Sequence, residues 1–160
     1  MKRWLWWFLC VPQFFLIAGI WRDAGLPGLD ASVLLCLFLA FFADRAALPW
    51  LLFGAALGRA LVDEAGLWVQ ILVLGIPVAV MLPLRSLFFG QRWLWQALAA
   101  ALCAVVLPHL AGLGGRWFGQ PSASSSLDGW HVVWQALLLP PLLMLLRRLP
   151  PLRAFEEEEA

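Results

Sequence analysis

Two charged residues at the edges of apolar runs, Asp30 and Arg59, are the first candidates for chemistry in this 160-residue chain. A charge at the centre of a membrane helix costs roughly 2.5–3.5 kcal/mol, so it needs a partner or access to the interface. If the two runs form a helical hairpin about the Asp44–Arg45 turn, Asp30 and Arg59 are equally distant from that turn and lie at one depth. Two interpretations stay open: an ion pair, or side chains that extend separately to the lipid headgroups.

Asp63 and Glu64 follow Arg59 on the same side of the predicted hairpin. An acidic cluster of this kind could bind a cation or a protein partner, but solvated loop charges are the interpretation that the sequence favours. We therefore take Asp30, Arg59 and Asp63 as candidate residues for helix packing or partner binding.

The segment Gly54-Ala-Ala-Leu-Gly58 is a GxxxG motif within an apolar run. Glycines spaced four residues apart present a helix face without Cβ atoms, which lets a second helix approach closely. Gly54 and Gly58 are thus predicted to pack against another helix, either of this chain or of a partner.

The other reactive side chains form no catalytic or metal-binding pattern. His109 and His131 lack companion ligands at metal spacing. The three cysteines, and the serines among residues 122–126, have no adjacent base. We predict that the chain is not an enzyme and uses no metal or other cofactor.

The composition predicts whether the protein is surrounded by water or by lipid. The chain is 63% hydrophobic and 13% charged, whereas soluble domains average about 45–50% apolar and 25% charged residues. Eleven basic residues against ten acidic ones exclude a nucleic-acid binder driven by positive charge. The hydrophobicity excludes a disordered chain, and three cysteines in apolar runs exclude a disulfide-stapled domain. We expect an integral membrane protein with the bilayer as its surroundings.

Six apolar runs predict an all-α bundle of six transmembrane helices over residues 1–150. A span needs roughly 20 residues, and four runs have that length. The second run reaches it if the helix starts near Leu26 with Asp30 in its first turns, and the third if it continues through Arg59 to Val62. The runs are Trp4–Trp21, Ala31–Ala43, Ala46–Gly58, Ala65–Leu84, Trp93–Gly115 and Gly129–Leu146.

Basic residues predict the orientation of the bundle. Basic residues collect on the cytoplasmic side of membrane proteins, and eight of the eleven fall on the side that would carry both termini, which we therefore place in the cytoplasm. The eight are Lys2, Arg3, Arg45, Arg85, Arg92, Arg147, Arg148 and Arg153, and the other three are Arg22, Arg59 and Arg116.

The eleven tryptophans fall near the predicted span ends, as expected for rings that prefer the headgroup level. Two segments lie outside the helices. Residues 114–129 are rich in Gly, Pro and Ser and predict a flexible outer loop. Residues 151–160, with four consecutive glutamates, predict a disordered acidic tail in the cytoplasm.

The order of several motifs resembles the MreD family of rod shape-determining membrane proteins. A proline followed by an acid opens the second helix, and a GxxxG followed by an acid closes the third. A late proline then precedes a basic exit. The segments are Leu26-Pro-Gly-Leu-Asp30, Phe53-Gly-Ala-Ala-Leu-Gly58-Arg-Ala-Leu-Val-Asp63, Arg85-Ser-Leu-Phe-Phe89, Trp134-Gln-Ala-Leu-Leu-Leu-Pro140 and Leu145-Leu-Arg-Arg148. Three features depart from the family pattern: bulky residues after Gly66, Arg59 itself, and the acidic tail.

The resemblance implies a non-catalytic role in the bacterial cytoplasmic membrane. Members of the family act with the bitopic protein MreC, the actin-like MreB, the glycosyltransferase RodA and a penicillin-binding transpeptidase in lateral wall synthesis. The family's bundle is similar to the membrane substrate-binding component of energy-coupling-factor vitamin transporters, although similarity of fold does not transfer function.

Two functions follow as expectations. The first is a scaffold of the rod-elongation complex that binds MreC. The alternative is a vitamin-binding component of an energy-coupling-factor-type transporter, for which only Gln70, His109, His131 and Gln135 offer polar groups as pocket linings.

Overall fold

The computed structural model is all-helical over the residues it describes, which are 2–23, 30–88, 92–120, 129–146, 148 and 155. No β-strand occurs within these ranges. Four of the helical segments are long and apolar enough to cross a membrane, and two shorter helices are apolar as well. The helices are α1 (Lys2–Asp23), α2 (Ala31–Phe41), α3 (Leu48–Ala60), α4 (Leu67–Met81), a 3₁₀ helix (Pro83–Phe88), α5 (Arg92–Phe118) and α6 (Gly129–Leu146).

Helix α2 lies at the centre of the bundle. It contacts each of the other five α-helices, and every residue from Ala31 to Ala40 is at most 4% exposed. Its sequence explains this position, because Val33-Leu-Leu-Cys-Leu-Phe-Leu39 is apolar on every face. A helix that is hydrophobic all round is stable only where its whole circumference is covered by protein or lipid.

The other helices form an arc around α2, packed in the order α1, α3, α4, α5 and α6. Their outward faces are apolar: the exposed fraction reaches 70% for Leu5, 66% for Ile20 and 63% for Leu145. Soluble monomers rarely expose apolar patches of this extent. The arrangement therefore fits a helical bundle embedded in a membrane.

Helices α2 and α3 are shorter than the sequence predicted. The second helix begins at Ala31, and Asp30 precedes it as the N-cap, with Oδ1 accepting from the backbone N–H of Ser32 at 2.8 Å. Aspartate is more favourable at an N-cap than within a helix. The third helix ends at Ala60 and does not reach Val62. At 1.5 Å per residue α2 is only about 16 Å long, which its enclosure by the other helices permits.

Helix α5 extends further than predicted and shortens the expected outer loop. Residues 114–118 are helical, and the chain leaves the helix at Gly119 with φ of 62°. Gln120 then accepts a hydrogen bond from the Gly66 backbone N–H at 2.6 Å, which joins the end of α5 to the start of α4. The remainder of the predicted loop, residues 121–128, lies outside the described residues, as does the Leu26-Pro-Gly-Leu segment.

Trp7 is a core residue and not a member of an interfacial belt, contrary to the sequence-based expectation. Its side chain is 0% exposed. The indole packs against the Phe38 ring of α2 at a centroid distance of 6.0 Å and against the Phe155 ring at 5.8 Å. Other tryptophans are exposed as predicted, among them Trp50, Trp68 and Trp117.

The acidic tail is attached to the bundle at Phe155, which the prediction of a disordered segment did not anticipate. Phe155 is 2% exposed. Its ring contacts Trp4 at 4.6 Å, and Arg3 Cζ lies 5.5 Å from the ring centroid. Its carbonyl oxygen accepts from the Asp44 backbone N–H at 2.8 Å. The other residues of the predicted tail, 151–154 and 156–160, lie outside the described part of the chain.

These contacts define two ends of the bundle. The Arg45 end comprises the start of α1, the α2–α3 turn at residues 42–47, the 3₁₀ helix and Phe155. Arg85 Nη1 donates to the Ala43 carbonyl oxygen at 3.0 Å and ties the 3₁₀ helix to this turn. The Asp63 end comprises Asp30, the α3–α4 turn at residues 61–66, and Gln120 at the end of α5.

We expect Phe155→Ala to destabilise the protein by about 3 kcal/mol, because it removes a fully buried aromatic ring. Thermal unfolding of the purified protein in a mild detergent measures this change. The matched control is Phe118→Ala, since Phe118 is 50% exposed at the end of α5. Equal losses for both variants would show that Phe155 is not packed as described.

Candidate functional site

The Asp63 end holds a compact polar cluster made of Arg59, Asp63 and Gln70. Asp63 Oδ2 accepts a hydrogen bond from Gln70 Nε2 at 3.0 Å and lies 3.7 Å from Arg59 Nε. The Arg59 and Asp63 side chains are only 14% and 18% exposed, and Gln70 is fully buried. The carboxylate therefore joins the last turn of α3 to the first turn of α4.

Local structure explains why these three residues meet. Arg59 lies in the last turn of α3, and the backbone N–H of Asp63 donates to the Arg59 carbonyl oxygen at 2.9 Å, which continues one helical turn beyond the helix. Residues four apart in such a turn face the same side. Gln70 comes one turn into α4, whose direction is reversed by the short connection.

The cluster has hydrogen-bonding capacity that the described residues do not use. Arg59 Nη1 and Gln70 Oε1 are both buried without a hydrogen-bond partner. The first is a donor and the second an acceptor. Buried polar atoms are normally paired, so this end of the bundle can accommodate one further polar group or a bridging water.

Asp30 and Arg59 do not form the ion pair that was one of the two open interpretations. Among the described residues Arg59 pairs with Asp63, while the Asp30 carboxylate caps α2. Both charges are used within their own local structure, one at the start of a helix and one at the end. Equal depth alone did not determine whether the two helix faces would point toward each other.

Asp63 is also not the solvated loop charge that the sequence favoured. Its carboxylate is largely shielded by Arg59 and Gln70. Glu64, the next residue, is exposed as expected. The two neighbouring acids therefore have different roles, one in holding helices together and one in contact with the surroundings.

The GxxxG glycines face α1. A Cβ atom added at Gly54 would lie 2.7 Å from Trp7 Nε1 and 2.9 Å from Trp7 Cδ1. At Gly58 it would lie 3.2 Å from the backbone N and Cα of Pro12 and 3.1 Å from Phe15 Cδ2. Both glycines are buried and serve an internal contact, in which α1 lies close against the α3 backbone.

The four polar residues considered for a vitamin pocket have different surroundings in the described structure. His109 and His131 are exposed, and His109 Nδ1 lies 2.8 Å from the Val105 carbonyl oxygen. Gln70 belongs to the Asp63 cluster, and Gln135 is buried with Oε1 unpartnered. Within the described ranges no group of three or more His, Cys, Asp or Glu side chains is placed to hold a metal ion.

Two contributions to the site were not evident from the sequence. Gln70 was considered only as a pocket lining. A polar residue in an apolar helix, seven positions after Asp63, could have indicated a hydrogen bond between the two. Trp7 was assigned to the interface, because a tryptophan close to Lys2 and Arg3 is typical of a headgroup anchor. Nothing in the sequence indicates that it covers Gly54.

No known protein family, curated protein or solved structure matches this chain. Its class is given by the architecture itself. Helices with apolar outward faces surround a fully buried apolar helix, and the polar side chains of the cluster hold α3 to α4. The chain is thus a membrane-embedded, all-helical protein.

We expect Gly54→Ala to destabilise the protein by about 2 kcal/mol, because the added methyl group overlaps a tryptophan that is itself enclosed. Gly112→Ala is the matched control, since no atom lies within 4 Å of a Cβ at Gly112 in α5. That substitution is expected to be neutral or stabilising by up to about 1 kcal/mol, as for alanine in a helix interior. Thermal unfolding in detergent distinguishes the two, and equal effects would contradict the close approach of α1.

We expect Asp63→Ala to lower stability by about 2 kcal/mol, because it leaves the largely buried Arg59 guanidinium without its counterion. The partial exposure of the pair keeps this below the cost for a fully buried one. The control is Glu64→Ala, which removes the neighbouring exposed acid. If chemical denaturation in detergent shows the same loss for both, the cluster does not hold α3 to α4.

Proposed function

We propose that this chain is a non-catalytic membrane scaffold of the bacterial rod-elongation complex, and that it binds the bitopic protein MreC. In this proposal it resides in the cytoplasmic membrane as a six-span protein with both termini in the cytoplasm. RodA, a penicillin-binding transpeptidase and MreB are the further members of the complex that it would help to organise for lateral peptidoglycan synthesis.

The proposal rests on the structural roles of the residues whose order resembles the MreD family. Asp30 caps α2, Gly54 and Gly58 admit α1, and Asp63 holds α3 to α4. These residues keep helices in a fixed arrangement. A protein whose distinctive side chains serve helix packing is suited to presenting a surface to other membrane proteins.

The charges at the two ends support the proposed orientation. Arg3, Arg45 and Arg85 belong to the Arg45 end. Basic residues are retained on the cytoplasmic side of a membrane. The Asp63 end, with its unused donor and acceptor, would then face the periplasm, where the extracytoplasmic part of MreC lies.

Capture of MreC tests the proposal. The tagged chain is purified in detergent with the MreC of the same bacterium in excess, and complex formation is followed by size-exclusion chromatography. We expect co-elution with MreC, and none with a bitopic protein that carries an unrelated transmembrane helix. Elution of the folded chain alone would contradict the proposal.

A substitution in the Asp63 cluster localises the interaction. We expect Gln70→Leu, which keeps the side-chain volume and removes both polar atoms, to reduce MreC capture, whereas Glu64→Gln does not. Thermal unfolding of each variant establishes that it is folded. A thermal-shift screen with vitamins serves as the counter-test, because a specific stabilisation by one vitamin would favour the transporter component instead.

A further inference from the structure

A groove of about 420 Å³ opens at the Arg45 end of the bundle. It is lined by Arg45, Leu48, Leu82 and Pro83. Arg45 comes from the α2–α3 turn, Leu48 begins α3, Leu82 follows α4 and Pro83 begins the 3₁₀ helix. One wall is thus cationic and the others are apolar, a combination that none of the helix-packing contacts explains.

The turn that carries Arg45 is fixed in place by hydrogen bonds from three directions. Within the turn, Asp44 Oδ1 accepts from the Ala46 N–H at 3.0 Å. The Phe155 carbonyl oxygen accepts from the Asp44 N–H at 2.8 Å. From the 3₁₀ helix, Arg85 Nη1 donates to the Ala43 carbonyl oxygen at 3.0 Å. The backbone that carries Arg45 beside the groove is therefore fixed before any ligand arrives, and only the side chain must be ordered on binding.

The local charge favours an anion. Arg45 is exposed, and no described acid pairs with it. Arg85 lies two residues beyond Pro83 in the 3₁₀ helix, and Arg3 lies over Phe155 at the same end. Asp44 accepts a backbone hydrogen bond and keeps its charge, and four glutamates follow Phe155 in the sequence. These five acids are outnumbered by the eight basic residues predicted for the same side of the membrane. A guanidinium that is free to act as a two-pronged donor matches the oxygens of a phosphate group.

The groove also lies where a lipid headgroup would be. Trp50, in the first turn of α3, is 63% exposed, as befits a ring at the membrane interface. Further along the packed pair of α3 and α4 the exposed side chains Phe53 and Val80 are apolar. A molecule with its phosphate at Arg45 would have an apolar surface beside it for its acyl chains.

We propose that this groove binds an anionic phospholipid, with the headgroup phosphate on Arg45 and the adjoining acyl chain against Leu48 and Leu82. Basic pockets between transmembrane helices are recognised sites for anionic headgroups. The bound lipid would bridge the α2–α3 turn and the 3₁₀ helix, in addition to the hydrogen bond between Arg85 and Ala43. This interaction is independent of the proposed complex with MreC.

The test compares lipids added to the purified full-length chain in a neutral detergent. Phosphatidylglycerol and phosphatidylcholine with the same acyl chains are added separately, and inorganic phosphate is added in a third series. We expect phosphatidylglycerol to raise the melting temperature and to remain bound in native mass spectrometry. Equal stabilisation by phosphatidylcholine would overturn the requirement for an anionic headgroup, and equal stabilisation by inorganic phosphate would overturn the assignment to a lipid.

Variants identify the residue responsible. We expect Arg45→Gln to weaken phosphatidylglycerol binding about tenfold, because it removes a charge-assisted, two-pronged hydrogen bond to the headgroup phosphate. Arg45→Lys, which keeps the charge and loses the two-pronged geometry, is expected to bind with an affinity between those of the unaltered protein and Arg45→Gln. The matched control is Arg148→Gln, which removes an exposed charge outside the groove.

The control variants distinguish binding at this groove from nonspecific electrostatic attraction of the lipid to the protein. An equal loss of affinity in Arg45→Gln and Arg148→Gln would show that phosphatidylglycerol binding depends only on the net charge of the protein. That result would overturn the proposal. The melting temperature without lipid establishes that each variant is folded. The comparison of lipids on the unaltered protein decides the question even if Arg45→Gln does not fold.

Discussion

The enclosure of α2 sets the arrangement of the other helices. Its ten residues from Ala31 to Ala40 expose almost nothing, so protein atoms must cover the helix on every side. The five surrounding helices do so, and all of them contact α2. A helix of about 16 Å is tolerated within a bilayer of about 30 Å because its ends are closed by other parts of the chain. Asp30 closes one end, and the Asp44–Phe155 hydrogen bond lies beside the other.

The position of α1 in the bundle is fixed by its close contact with α3. Gly54 and Gly58 remove the Cβ atoms that would separate the two backbones, and Trp7 occupies the space above Gly54. The same indole contacts Phe38 of α2 and the ring of Phe155. One aromatic side chain thus links three helices and the C-terminal segment. Within a membrane such close packing takes the place of the hydrophobic drive that operates in water.

The polar groups of the bundle are divided between its ends and follow two different physical rules. At the Asp63 end they are largely shielded from solvent and pair with one another, because an unpaired charge there would be costly. At the Arg45 end the basic groups are more exposed, and the backbone of the turn is fixed by Arg85 and Phe155. The first arrangement holds α3 to α4, and the second leaves basic side chains accessible at one end of the bundle.

The sequence alone determined that the chain is all-helical and apolar, where most helices lie, and that Gly54 and Gly58 admit a neighbour, since these follow from composition and local spacing. Gly129–Leu146 was predicted to the residue. Only the tertiary structure decided that Arg59 pairs with Asp63 and not with Asp30, and that Trp7 is buried. The physical reason is that hydrophobicity and charge specify the depth of a residue in a membrane. They do not specify the direction in which its helix face points, and that direction is fixed by the packing of all the helices together.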